Sequence, residues 1–123
     1  MLDIYVDADA CPVKNEVYRV AGRYGLEVIV VANSWMRVPD DPRISIEVVT
    51  DGFDAADDWI AERAGTGDIV ITADIPLAAR CLEVGARVLG PTGRPFDAEN
   101  IGAALATREL LADLRAGGEF AGG

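Results

Sequence analysis

Seven aspartates stand just behind short apolar runs: Asp7 and Asp9 after "LDIYV", Asp51, Asp54, Asp57 and Asp58 after "ISIEVV", and Asp74 after "DIVIT". Like charges one residue apart, as in Asp7 and Asp9, cost stability unless something shares the charge. A metal ion, a phosphoryl group or a helix cap would each do so. Carboxylates suit hard cations, which acidify water and neutralise the charge that develops in phosphoryl transfer. A DxD pair after a strand also suits an aspartyl-phosphate phosphatase, with Asp7 as nucleophile and Asp9 as acid and base.

Capping explains some of these acids equally well. Asp54 with Asp57 reads as an N-cap followed by an acid at N3, a relative of the capping box. Asp74, with Pro76 behind it, reads as an N-cap with proline in the first turn. Asp7 does not fit that explanation, because it ends a strand and Pro12 places the helix start later. Asn33 and Arg37 lie in the segment after the second strand, where they can meet a ligand or simply be solvated.

Other chemistries are excluded by composition. There is no histidine, and Cys11 and Cys81 are the only cysteines, with no CxxC. Zinc-finger sites and Cys/His nucleophiles therefore drop out. Cys11 lacks a base and has only a helix dipole to activate it. No glycine-rich phosphate loop follows the first strand, and Lys14 is the only lysine. The net charge is −10, whereas a chain that held nucleic acid by charge alone would be basic. Two thiols that a domain of this size does not need as a staple point to reduced cysteines and a cytoplasmic setting. The N-terminus carries Asp3 and no signal pattern, and the apolar run from Val28 to Ala32 is too short for a membrane span.

The elements that must position these acids alternate between two periods. Strands are expected at 2–6, 27–31, 44–49, 68–72 and 86–89, and helices at 13–24, 54–64, 75–84 and 98–115. Residues 32–43 form an irregular crossing with two prolines, 90–95 a loop, and 117–123 a flexible tail after a single domain over 1–116. Alternating strands and helices predict a three-layer α/β/α fold with a five-stranded parallel sheet. Right-handed crossovers place all strand C-terminal ends on one edge. With order 3-2-1-4-5, Asp7 and Asp74 end neighbouring strands, about 5 Å apart, at the switch point where open α/β sheets bind ligands. Asp54 and Asp57, three residues apart, share a helix face aimed the same way. Glu27, Asp40, Asp41 and Asp68 fall on the opposite edge or its approach, as solvated surface charge.

The stretches "DADACPVKNEVYRVA", "VVANSWMRVP", "GFDAAD", "GDIVITADIPLAA" and "LGPTGRPF" together resemble the YaiI/YqxD family of uncharacterised bacterial proteins. That family is grouped with PIN-like domains, whose relatives include metal-dependent ribonucleases with an acidic pocket on a 3-2-1-4-5 sheet. By this resemblance Asp7 is the first-strand acid, Asp74 the acid after strand 4, and Asp54 or Asp57 the helix acid. Asp9, Asn33 and Ser34 match motif positions without an assigned role. Where PIN nucleases carry a fourth acid after strand 5, this chain offers only Asp97.

The expectation is a metal-dependent nuclease acting on a phosphodiester, with RNA as its partner. Asp7, Asp54, Asp57 and Asp74 are the catalytic candidates. Asp7, Asp9, Asp57 and Asp74 are the ligands for Mg²⁺ or Mn²⁺. Asn33, Ser34 and Arg37 are the substrate contacts, with Arg80 a further phosphate holder. A binding or regulatory module that keeps the acidic metal pocket without catalysis is the alternative, and the Asp7/Asp9 phosphatase a further one.

Overall fold

The computed structural model describes residues 2–9, 14–52 and 54–116, apart from the Lys14 side chain. Cys11, Pro12 and the tail at 117–123 lie outside the described residues. Strands β1 (Asp3–Asp7), β2 (Glu27–Ala32), β3 (Ile44–Val48), β4 (Ile69–Ile71), β5 (Arg87–Leu89) and β6 (Pro95–Phe96) form one sheet. The helices are α1 (Lys14–Tyr24), α2 (Ala55–Arg63), α3 (Ile75–Glu83) and α4 (Ala98–Ala116).

The sheet runs β3-β2-β1-β4-β5-β6, with β6 antiparallel to β5 and every other pairing parallel. β1 therefore lies between β2 and β4. The sheet is mixed and six-stranded, which corrects the expected all-parallel five strands and the expected loop at 90–95. The cause is the turn after β5. Gly93 sits at φ 86, a value that L side chains avoid. Gly93 N donates to Gly90 O, and Gly90 N donates to Arg94 O at 2.8 Å, which folds the chain back on itself. Pro95 has no N–H and is tolerated because β6 is an edge.

Side-chain alternation divides the core. Tyr5, Val31, Val70 and Val88 face Ile60 of α2, Leu77 and Cys81 of α3 and Ile101 of α4. Ile4, Val6, Val28, Val30 and Ile71 face the other way, onto Val17, Tyr18 and Ala21 of α1. Met36 and Val38 pack there too, so the irregular crossing covers sheet that a helix would otherwise cover. Gly25 (φ 68) ends α1, where Leu26 N donates back to Ala21 O at 2.9 Å. No helix among the described residues is long and apolar enough to cross a membrane.

The opposite edge is more constrained than its charges suggested. Asp68 accepts from Asp3 N at 3.0 Å and Gly65 N at 2.9 Å, both partly buried, so it ties β1 to the approach of β4 and is not merely solvated.

Candidate functional site

The register places Val6 of β1 opposite Ile71 of β4, so Asp7 is matched by Thr72, not by Asp74. Asp7 is only 4% exposed and Thr72 is fully buried. The Thr72 hydroxyl donates to Asp7 Oδ2 at 2.7 Å and accepts from Asp74 N at 2.9 Å. One hydroxyl thus couples the two strand ends, and Asp74 follows two residues later. Asp74 Oδ1 accepts from Leu77 N at 2.8 Å, capping α3 with Pro76 in its first turn. The cap and the site are the same residue.

Asp54 resolves differently. It occupies the N-cap position of α2, yet its side chain makes no capping bond. Asp7, Asp9, Asp54, Asp57 and Asp74 line one cavity of about 420 Å³, together with Asn33, Ala56, Ala73 and Arg108. Asp9 is exposed, and its Oδ2 accepts from Asn33 N at 3.0 Å, which ties the exits of β1 and β2 together.

The electrostatics match that crowding. Burial pushes the Asp7 carboxyl above its ordinary range; the Thr72 bond draws it partly back, and Asp74 and Asp9 push it up again. Burial also pushes Asp57 up to about 6, reinforced by the charges of Asp74, Asp7, Asp54 and Asp58. Among the described residues, no three His, Cys, Asp or Glu side chains stand close enough together to hold a metal ion as they are. The expected ligands Asp7, Asp9, Asp57 and Asp74 share a cavity wall but are not drawn together into a cluster. Their donor chemistry nevertheless fits a hard divalent cation, since all are carboxylate oxygens.

Several candidates fall elsewhere. Ser34 and Arg37 are exposed and do not line the cavity; of the three expected substrate contacts only Asn33 does. Asp58 pairs with Arg80 at 2.7 Å on the surface, which engages the arginine expected to hold phosphate. Asp51 is not in the cavity wall. Asp97 exchanges bonds with Asn100, each backbone N donating to the other's side-chain oxygen at 2.8 Å, so it caps α4 and supplies no fourth cavity acid. Cys81 is buried and its thiol is pushed up to about 11, which leaves it inert.

Two residues of the site were not anticipated: Thr72, buried behind the cavity wall, and Arg108, in the wall itself. Thr72 could have been suspected as a polar residue closing an apolar strand on the acid-bearing edge. Arg108 had no local signal: only the path of α4 brings it to the cavity.

An open, mostly parallel α/β sheet with acids gathered over its switch point defines the class of protein. The chain belongs to the uncharacterised YaiI/YqxD family, which matches residues 5–123. It is 60% identical over 122 residues to a UPF0178 protein of Bradyrhizobium sp. (strain ORS 278), covering 99% of this chain and 74% of that one. It is 62% identical over 115 residues to the UPF0178 protein of Rhodospirillum centenum (strain ATCC 51521 / SW), with 94% and 75% covered. Against the UPF0178 protein of Rhizobium meliloti (strain 1021) it is 63% identical over 119 residues, with 97% and 82% covered.

Proposed function

We propose that the protein is a metal-dependent phosphodiesterase with a PIN-like architecture, acting on RNA. The strand order of β3-β2-β1-β4-β5 supports the PIN-like assignment, with β6 as an addition at the edge. The observation that carries the functional reading is the buried Asp7, which shares a cavity wall with Asp57 and Asp74 and, like Asp57, has its carboxyl held above the ordinary range. Uncompensated like charge at a switch point costs stability, and a cation would relieve it.

Asp7, Asp57 and Asp74 would hold Mg²⁺ or Mn²⁺, with Asp9 at the rim. Bound there, such an ion supplies acidification of water and neutralisation of phosphoryl charge. Thr72 fixes the rotamer of Asp7, leaving Oδ1 for the cavity. Leu77 N fixes Asp74 in the same way, leaving Oδ2. Asp54, free of any capping bond, adds negative potential that favours a cation over water alone. The net charge of −10 opposes a polyanion, so RNA binding is expected to be weak and salt-sensitive.

The test is incubation with mixed single-stranded and structured RNAs in Mn²⁺, Mg²⁺ or EDTA, with Asp7→Asn as control. Metal-dependent cleavage lost in Asp7→Asn supports the reading. Cleavage that persists in the variant marks a contaminant. Metal binding without Asp7-dependent cleavage under any condition replaces the enzyme with a metal-holding binding module.

A further inference from the structure

Arg108 lies in the wall of a cavity lined by five aspartates, yet no carboxylate comes within ion-pair distance of it and it makes no hydrogen bond among the described residues. Arg80, the arginine expected to hold phosphate, is by contrast occupied by Asp58 at 2.7 Å. Arg108 is an exposed side chain whose position along α4 is set by the helix. Ile101, seven residues earlier, is buried in the core, and two helical turns return Arg108 to the same face.

The segment that follows Asn33 of the cavity wall carries a second unused group. Trp35 is 71% exposed and makes no ring contact among the described residues, whereas Trp59 packs edge-on against Tyr5 at 6.1 Å. The segment bearing Trp35 is held on both sides. Asn33, in the cavity wall, donates its N–H to Asp9, and Met36 packs into the core. Two residues of chain keep the Trp35 Cα within about 7 Å of that of Asn33. A largely exposed indole tethered within that distance of the cavity wall is a stacking platform, and a guanidinium without a carboxylate partner is a fork for phosphate oxygens.

We infer that Arg108 and Trp35 are the substrate-contact residues of this cavity, with the guanidinium on a phosphate oxygen and the indole stacked on a nucleobase. Arg108 takes the phosphate role expected of Arg37 and Arg80, which lie outside the cavity wall; Trp35, itself outside the wall, would meet a nucleotide that extends beyond it. Both contacts presuppose the phosphodiester substrate proposed above.

Binding of a fluorescently labelled single-stranded oligouridylate to the full chain, followed by anisotropy across a salt series in EDTA, tests the pair without requiring turnover. Arg108→Ala should weaken binding several-fold and flatten the log–log salt slope by about 0.7, one single-strand phosphate contact. Trp35→Ala should weaken binding at least about fivefold with the slope unchanged, and Trp35→Phe should restore most of it. In the unlabelled complex, quenching of indole emission should vanish in Trp35→Phe while Trp59 still emits. If both alanine variants bind as the wild type does, the contacts are overturned. Wild-type protein that binds no oligonucleotide overturns them too. Asp7-dependent hydrolysis of bis(p-nitrophenyl) phosphate in Mn²⁺, too small to need either contact, then judges the phosphodiesterase reading separately.

Discussion

At the scale of single residues, the cavity is organised by the Thr72 hydroxyl as much as by the acids. It is fully buried and holds Asp7 on one side and the Asp74 backbone on the other. Thr72→Val keeps the shape but leaves Asp7 Oδ2 and Asp74 N without their partner, at a cost of about 1–3 kcal/mol. Thr72→Ser keeps both bonds and should lose much less. Urea denaturation of the two variants checks this, and equal losses would assign Thr72 a packing role only. Asp57 carries a pH signature. Its carboxyl titrates at about 6 in the folded protein and near 3.8 when free of these neighbours, so between those values the native state binds more protons than the unfolded chain. Stability in EDTA from this group is therefore highest below pH about 4 and falls as pH rises towards 6. The difference between wild type and Asp57→Asn, followed by thermal midpoint against pH, should show that fall in the wild type alone. A parallel pair of curves would place Asp57 in open solvent.

At the scale of elements, the strand ends were legible and the paths of the connecting pieces were not. Period-two runs such as "IYV" and "EVIVV" announce strands because alternate residues must face different helices, and β1 and β2 do divide that way. Once strand order is known, Asp7, Asp54, Asp57 and Asp74 must share an edge, and they line one cavity. The pairing of Asp7 with Thr72 was hidden, because register depends on packing along the whole of β1 and β4. So was Arg108: a helix reads as amphipathic whatever it crosses. The β5–β6 turn was read as a loop because two-residue strands carry no period. Its glycine is testable. A Cβ on Gly93 meets nothing within 4 Å, so the cost of Gly93→Ala is that of its φ of 86 alone. A loss of about 1–2 kcal/mol in urea denaturation is expected. No loss would mean that the turn readily relaxes to another conformation.

At the scale of the whole molecule, a net charge of −10 and an acidic cavity with Asp7 buried in its wall act in the same direction. General self-repulsion is relieved by any salt, since screening depends only on ionic strength. A site that holds a divalent cation stabilises by mass action instead, in proportion to how far the free ion exceeds its Kd. The two contributions separate when MgCl₂ or MnCl₂ is compared with NaCl at matched ionic strength. The divalent salt should raise the thermal midpoint by several degrees more than NaCl does, and EDTA should remove the excess. Asp7→Asn should start with a higher midpoint in EDTA, because a buried charge is gone, and gain no more from MgCl₂ than from NaCl. Asp51→Asn, altering an exposed acid outside the cavity, should keep the full divalent gain. An equal gain in all three proteins would assign the effect to surface screening, and the cavity acids would then be no more than a cost of the fold.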